Sequence, residues 1–532
     1  MSAIDWSVLV LTLGAILGYG LWRARGSSTT QQYLLAGKEM PWYAMALSIM
    51  ATQASAVTFI STTGQAYVDG MRFVQFYFGL PIAMILIAET AVPIFHRSGV
   101  YTAYEYLEKR FDVKTRLLIS LIFLVSRGLA VGVTLSAPAI VLSVILGISD
   151  TWTVIIMGAI ITLFATFGGI KAITWTDTQQ MLIMLVGIAT ACLCAIWQTP
   201  VGFWDQLTLA GAAGRLNPVT FNFDWDDRFN FWSGLVGGTF LALAYFGCDQ
   251  SQVQRYLTGK SITQSRLSLL FNAVAKIPMQ FGILFTGAMV YVFFIYTQPP
   301  ANFRSATPGG IEYEQSHKAR QAAADAVLQG NTSPADFKNR QKEFDTTRQT
   351  APGGTDTNYI FLYFVTHYLP IGVAGLALAV VFGAALTTSS GELNSLATVS
   401  VIDIYKRYFN ANATDGQYLL VSRLGTVFWG IYAIASAQYA KTLGSLIEVV
   451  NMLGSLFYGG LLGVFILAFY FPRVKGNAAF VAVLLGEAVI FSCKFSTSLA
   501  FLWYNVIGSL VVVFAGLLLS TLQRDVPNPA DS

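Results

Sequence analysis

Long apolar runs separated by short polar stretches set the pattern of the chain. Counted against the ~20 residues that an α-helix needs to cross hydrocarbon, the runs predict thirteen spans. They lie at about 4–24, 42–67, 71–96, 117–147, 152–170, 178–198, 231–249, 267–297, 369–404, 417–439, 445–471, 476–493 and 498–521. The first follows Asp5 with no basic flank or cleavage site, so it reads as a retained helix rather than a leader. One long polar stretch, 298–368, interrupts the series. Within it, 311–330 and 333–349 read as two polar helices, the second with Ser333 as N-cap and Pro334 at its first position, and together they predict an external hairpin serving as a solvated lid or spacer.

Composition agrees with the runs. Of 532 residues, 55% are hydrophobic and 11% charged, with a mean hydropathy of +0.57, whereas a soluble protein carries roughly 25% charged residues. The expected fold class is an all-α polytopic membrane protein, with the lipid bilayer as its first partner. The net charge of +4 is spread over short loops and forms no basic patch, which excludes a nucleic-acid partner. Lys and Arg collect on the cytoplasmic side of short loops. With the N-terminus outside and the C-terminus inside, eighteen fall in cytoplasmic segments and five (Arg72, Arg215, Arg228, Lys441 and Lys494) in short outer loops. The cysteines, Cys192, Cys194, Cys248 and Cys493, sit in or at the ends of apolar runs and read as packing residues.

The apolar pattern fails in informative places. The second run holds Ala51-Thr52-Gln53-Ala54-Ser55-Ala56-Val57-Thr58 and Ser61-Thr62-Thr63-Gly64, and the seventh holds Gly234, Gly237, Gly238 and Thr239 ahead of Tyr245-Phe246-Gly247. These runs are five apart and therefore cross the bilayer in opposite directions. They predict two inverted five-helix repeats, spans 2–6 and 7–11, each opening on an interrupted helix whose free ends serve ion and solute. Close packing through small residues would account equally well for either run alone.

The ninth run contains Thr387-Thr388-Ser389-Ser390. Four consecutive hydroxyls exceed what packing requires, and with the Ala51 and Ala54 carbonyls they offer an all-oxygen cage to sodium. Bonding back onto their own helix is the alternative. Ionisable residues inside spans are functional candidates. Asp177, at the start of the sixth run, holds a second sodium or caps its helix. Arg127 and Lys276 neutralise an anionic solute or a buried carboxylate, or snorkel to the cytoplasmic face. Glu89, Glu392, Glu448 and Glu487 have no role beyond pairing or interfacial placement.

Four ordered segments carry a family resemblance. Ser55-Ala56-Val57-Thr58, Tyr104-Glu105-Tyr106-Leu107-Glu108-Lys109-Arg110-Phe111, Gly168-Gly169-Ile170-Lys171-Ala172 through Trp175-Thr176-Asp177, and Asp249-Gln250-Ser251-Gln252-Val253-Gln254-Arg255 resemble motifs of the sodium/solute symporters. The resemblance implies a LeuT-like, APC-type core that works by alternating access on an inward sodium gradient, with sodium ion as the only cofactor. By position it implies a principal sodium site at Ala51, Ala54, Ala384, Thr387 and Thr388. It also implies, as in some members, a second site at Asp177, Thr387 and Ser390, where Gly391 stands in place of a usual hydroxyl. One versus two sodium ions stays open.

The solute pocket carries over less fully. Thr58, Tyr77 and Ala242 stand where sugar carriers use Gln, Glu and Asn, although Lys276 and the aromatic gate Tyr245 match, so a galactose-like ligand is disfavoured. Ser55 and Thr58 match carboxylate contacts of sialic acid carriers, whose arginine aligns near Ala130, a turn from Arg127. Phe73, Gln75, Tyr77 and Asn451 complete the candidate set. The expectation is a multi-pass plasma-membrane symporter for a small organic anion, sugar or vitamin-like solute, with no enzymatic activity and no obligate protein partner. A sodium-independent facilitator, or a sensor acting through a separate protein, are the alternatives. Its expected divisions are 1–41, 42–198, 199–230, 231–471 including the outer loop 298–368, and 472–532.

Overall fold

The computed structural model describes residues 1–26, 29–349, 356–440 and 445–522. Lys441, Arg524 and the tail beyond 522 lie outside the described residues. Within them the chain is helical almost throughout, and the extended pairing is limited to two isolated bridges. Helices satisfy every backbone group internally, which is what a hydrocarbon environment demands.

Helix α1 (Ala3–Arg23) opens on a capping box in which Ser2 and Asp5 exchange hydrogen bonds. The short α2 (Thr30–Leu35) leads into α3 (Trp42–Gln53), which stops at Ala54; the chain rewinds through a wide turn at Thr58–Thr62 into α4 (Thr63–Asp69). The second apolar run is thus two half-helices. Helices α5 (Leu80–Glu89), α6 (Ala91–Ser98) and α7 (Ala103–Arg110) follow, then α8 (Val113–Leu146).

Helix α9 (Asp150–Gln198) joins the fifth and sixth predicted spans into one bent element. The sequence suggests a loop at 171–177, but that stretch is helical, and the only non-helical residue is Gly169, at φ +59°. A side chain there would be strained and would also strike Tyr33, 2.7 Å from the would-be Cβ.

After α10 (Phe203–Ala212), the seventh run also departs from expectation. Its glycines do not unwind it. Ser233–Gly237 is a wide helical turn leading into α11 (Gly238–Gly247), and a Cβ on Gly234 would lie 2.0 Å from the Gln75 carbonyl oxygen, one on Gly238 2.7 Å from that of Phe76. These glycines let backbones touch. The interruption falls further along, at Cys248–Asp249, where the Asp249 carboxylate accepts the Ser251 N–H at 2.8 Å and caps α12 (Gln250–Leu257).

Helix α13 (Ile262–Tyr296) leads to the polar hairpin of α14 (Ile311–Leu328) and α15 (Pro334–Gln349), the latter capped by Ser333, whose hydroxyl accepts the Asp336 N–H at 3.2 Å. Arg320 of α14 is fully buried and donates to the Phe294 carbonyl at the end of α13, with His317 beside it, 3.3 Å from the same oxygen. The hairpin is therefore fastened to the membrane helices. The remaining helices are α16 (Thr357–Tyr368), α17 (Val373–Val399), which continues in wide turns to Phe409, α18 (Asp415–Ala440), α19 (Leu446–Tyr470), α20 (Gly476–Ser496) and α21 (Leu502–Leu522).

Among the described residues, ten helical stretches are long and apolar enough to cross a membrane. Helix α17 is their hub: it packs on α9, α1, α8 and α18, and buries its whole circumference. A helix with no solvent or lipid face can carry polar side chains only where other polar groups meet them. The site is built there.

Candidate functional site

A helix that ends leaves its last carbonyls unpaired and carries partial negative charge at that end. Helix α3 ends inside the fold, with Ala51 and Ala54 both buried, so water cannot freely satisfy those carbonyls. The hydroxyl run of α17 reaches the first of them. Thr388 Oγ1 donates to the Ala51 carbonyl at 3.4 Å and Thr387 Oγ1 to the Ala384 carbonyl at 3.3 Å. Of the expected sodium-site residues, Ala51 of α3 and Thr388 of α17 thus meet at the helix break, whereas Thr387 bonds back onto its own helix. Uncharged oxygens from carbonyls and hydroxyls are the donors a hard cation prefers.

Asp177 lies on the other side of the same hydroxyl run. Its Oδ2 accepts from Ser48 Oγ at 2.5 Å, Thr387 is within hydrogen-bonding reach, and Arg255 Nη1 stands 3.4 Å from Oδ2. Asp177 and Arg255 are both wholly buried. Ser390 does not join them; its hydroxyl is turned to the Ile161 carbonyl at 3.4 Å. The proposed second-site set is therefore only partly assembled.

Beside Thr388 lies a cavity of about 70 Å³ whose lining includes Gln53, Ser55, Tyr77, Tyr245, Glu392 and Asn451. By the size of a water-sized probe it holds several waters, or a solute of a few heavy atoms. Arg127 forms part of its wall and is heavily engaged. It donates to Glu392 Oε1 at 3.0 Å, to Tyr458 Oη at 2.7 Å and to Asp249 Oδ2. Thr134 donates to Glu392 Oε2 at 2.7 Å, and Tyr458 to Asp249 at 3.0 Å. One guanidinium is thereby matched with two buried carboxylates.

The other expected solute residues divide in two. Ser55, Tyr77, Arg127, Tyr245 and Asn451 line the cavity. Thr58 does not; its hydroxyl donates back to the Gln53 carbonyl at 3.0 Å. Gln75 is consumed elsewhere, donating to the Phe229 carbonyl at 2.8 Å and accepting the Thr220 N–H at 2.8 Å, and Phe73 packs on Phe76 and Phe229. Both pin the connection that carries Thr220 and Phe229 to the membrane helices. Lys276 sits behind the cavity wall, its Nζ 5.6 Å from the centre of the Tyr77 ring, wholly buried and without a hydrogen-bond partner among the described residues.

Asp249, Tyr458, Thr134 and Arg255 complete the polar core, and residue patterns alone did not single them out for this. One signal was present: a buried charge requires a partner, and Asp249 at the end of an apolar run is a natural one for Arg127.

A broken helix whose carbonyls meet a buried hydroxyl run, next to a small polar cavity in an all-helical membrane core, defines a secondary carrier. The chain belongs to the sodium:solute symporter family, whose model matches residues 33–308 and 344–486. The unmatched segment between them coincides with most of the hairpin of α14 and α15. The chain is 29% identical to human sodium-coupled monocarboxylate transporter 1 over 91% of its own length and 72% of that protein's. It is 26% identical to the sodium/sialic acid symporter NanT of Aliivibrio fischeri over 98% of its length and 94% of the relative's. In fold it is similar to a Na+-coupled sialic acid symporter solved in a substrate-bound outward-open state, with a TM-score of 0.81 at 24% identity and 98% of each chain covered. The family and these relatives are transporters, and sodium-coupled solute symport is the function this chain shares with them.

Proposed function

We propose that the chain carries a small, carboxylate-bearing organic solute into the cell together with sodium, by alternating access across the plasma membrane. In this reading sodium is held by the carbonyls of Ala51, Ala54 and Ala384 and the hydroxyls of Thr387 and Thr388. The observation that carries it is the 3.4 Å contact of Thr388 Oγ1 with the Ala51 carbonyl. There the open end of a broken helix and the α17 hydroxyl run meet, so a cation bound between them ties α3 to α17. Movement of one against the other is what its arrival would bias.

The breaks at Ala54–Ser55 and Cys248–Asp249 support two inverted repeats, spans 2–6 and 7–11 (42–198 and 231–471), flanked by 1–41, the outer connection 199–230 and the terminal pair of helices in 472–532. The asymmetry of Lys and Arg supports thirteen crossings with the N-terminus outside and the C-terminus inside. Solute class follows from the charges. Arg127 is already matched with two carboxylates, whereas Lys276 has no partner, so Lys276 is the cation available to an entering carboxylate once the Tyr77 ring swings aside. The relatives' cargoes, monocarboxylate and sialic acid, are of that chemistry.

Uptake of a panel of short-chain monocarboxylates and sialic acid into proteoliposomes tests this. An inward sodium gradient should drive accumulation of at least one, and an equal potassium gradient should not. Accumulation indifferent to the cation would replace the symporter with a facilitator.

A further inference from the structure

Two buried carboxylates flank the hydroxyl run of α17, and the structure treats them differently. Asp177, on the Thr387 side, has a guanidinium of its own: Arg255 Nη1 lies 3.4 Å from Oδ2. The Arg255 side chain reaches this place because α17 has no side chain at Gly391, where a Cβ would lie 2.2 Å from Arg255 Nη2. Any other residue at 391 would push the guanidinium off. Its charge thus stands beside the carboxylate that a second sodium would need.

Glu392, on the Thr388 side, is in the opposite condition. It shares Arg127 with Asp249, so this cluster of one guanidinium and two carboxyl groups carries one negative charge in excess when both carboxyls are ionised. Thr388 and Glu392 are spaced i, i+4 on α17 and line the same cavity, which places their Cβ atoms about 5–6 Å apart. The principal site itself is built of carbonyls and hydroxyls and carries no formal charge.

We infer that the carrier binds one sodium ion, countered by the excess charge at Glu392, while Arg255, admitted by Gly391, stands in for a cation at Asp177. This rests on the symport reading above. It gives each cargo charge its own buried partner, Glu392 for the cation and Lys276 for the solute's carboxylate. Through an effective dielectric near 20, one full charge within about 10 Å changes cation affinity by tenfold or more.

Equilibrium binding of ²²Na+ to the purified, solute-free carrier tests it. Wild type should bind one ion per chain with a Hill coefficient of one. Glu392→Gln keeps a partner for both Arg127 and Thr134, and it should weaken sodium binding at least tenfold while leaving one site. The paired variant Asp177→Asn with Arg255→Gln, which removes both charges together and leaves neither buried alone, should still bind one ion. Gly391→Ser, by displacing Arg255 from Asp177, should add a second, weaker ion. Two ions per wild-type chain, a paired variant that drops from two to one, or an unaltered affinity in Glu392→Gln would each overturn the inference. Absence of any saturable sodium binding by wild type would instead overturn the symport reading on which it stands.

Discussion

The two broken helices of the core end in opposite chemistry. At Ala54–Ser55 the end of α3 is left open, its Ala51 carbonyl facing the Thr388 hydroxyl at the outer limit of hydrogen-bonding distance, while Thr387 beside it bonds back to Ala384 of its own helix. At Cys248–Asp249 the start of α12 is closed: Asp249 caps it, and Arg127 and Tyr458 hold that carboxylate in turn. A break whose polar groups are all satisfied rigidifies a core. A break with acceptors to spare is a place for a cation. The difference teaches that an interrupted membrane helix is not by itself a transport site, since what decides is which groups are left wanting.

That contrast can be broken from the closed side first. Arg127→Met would leave Asp249 and Glu392 buried without their cation, and loss of one partner of a buried pair costs about 3–5 kcal/mol. Denaturant unfolding in detergent should show a loss of that size, or no folded protein, and stability within about 1 kcal/mol of wild type would show that the cluster is not the framework described here. Next in size, Lys276→Met should weaken a stabilising carboxylate ligand ten- to a hundredfold while leaving the response to sodium alone intact. Calorimetric titration with that ligand checks it, and an unchanged affinity would return the solute's carboxylate to Arg127.

The glycine contacts sharpen the comparison further. If Gly234 serves only packing, Gly234→Ala should destabilise by about 1–3 kcal/mol through overpacking and leave the sodium affinity of the folded fraction unaltered. A sodium defect without a stability defect would make that glycine part of an ion path instead.

The smallest effect lies in the polar hairpin of α14 and α15. Burial and the neighbouring Arg320 lower the His317 pKa to about 4. The folded form therefore holds the neutral ring while an unfolded hairpin takes up a proton below its ordinary value near 6.5. The stability His317 contributes is present above that value and is lost as pH falls from about 6.5 toward 4, about 1 kcal/mol of it by pH 5.5. Hydrogen exchange over 311–349, corrected for intrinsic rates, should loosen between pH 7.5 and 5.5 in wild type and not in His317→Gln.

The lengths of the apolar runs carried most of the helical layout, because a membrane fixes how long a spanning helix must be. They could not tell a loop from a kink at 168–177, since the deciding fact is the approach of Tyr33 to Gly169, a contact between distant parts of the chain. The same limit accounts for the seventh run. Glycines that unwind a helix and glycines that admit a neighbour look alike in sequence, and only the carbonyls of Gln75 and Phe76 lying against them distinguish the two. The hydroxyl run of α17 was legible because helix packing alone seldom calls for four adjacent hydroxyls in an apolar run. The solute wall was less so: Gln75 and Phe73 are polar and aromatic residues of the right kind that turn out to hold the connection at Thr220 and Phe229. Arg127 was visible as a buried cation, but whether it was free or matched depended on Asp249 and Glu392, which reach it from two other elements.

The thermal stability of the purified carrier against sodium chloride and potassium chloride, with and without Thr387→Ala and Thr388→Ala together, tests the sodium site most directly, because an ion bound only by the folded state raises the transition by mass action. Sodium should raise the melting temperature along a saturating curve, potassium should not, and the double variant should lose the sodium response. Equal shifts with the two cations, or a full sodium response in the double variant, would contradict a sodium ion held between the open end of α3 and the hydroxyls of α17.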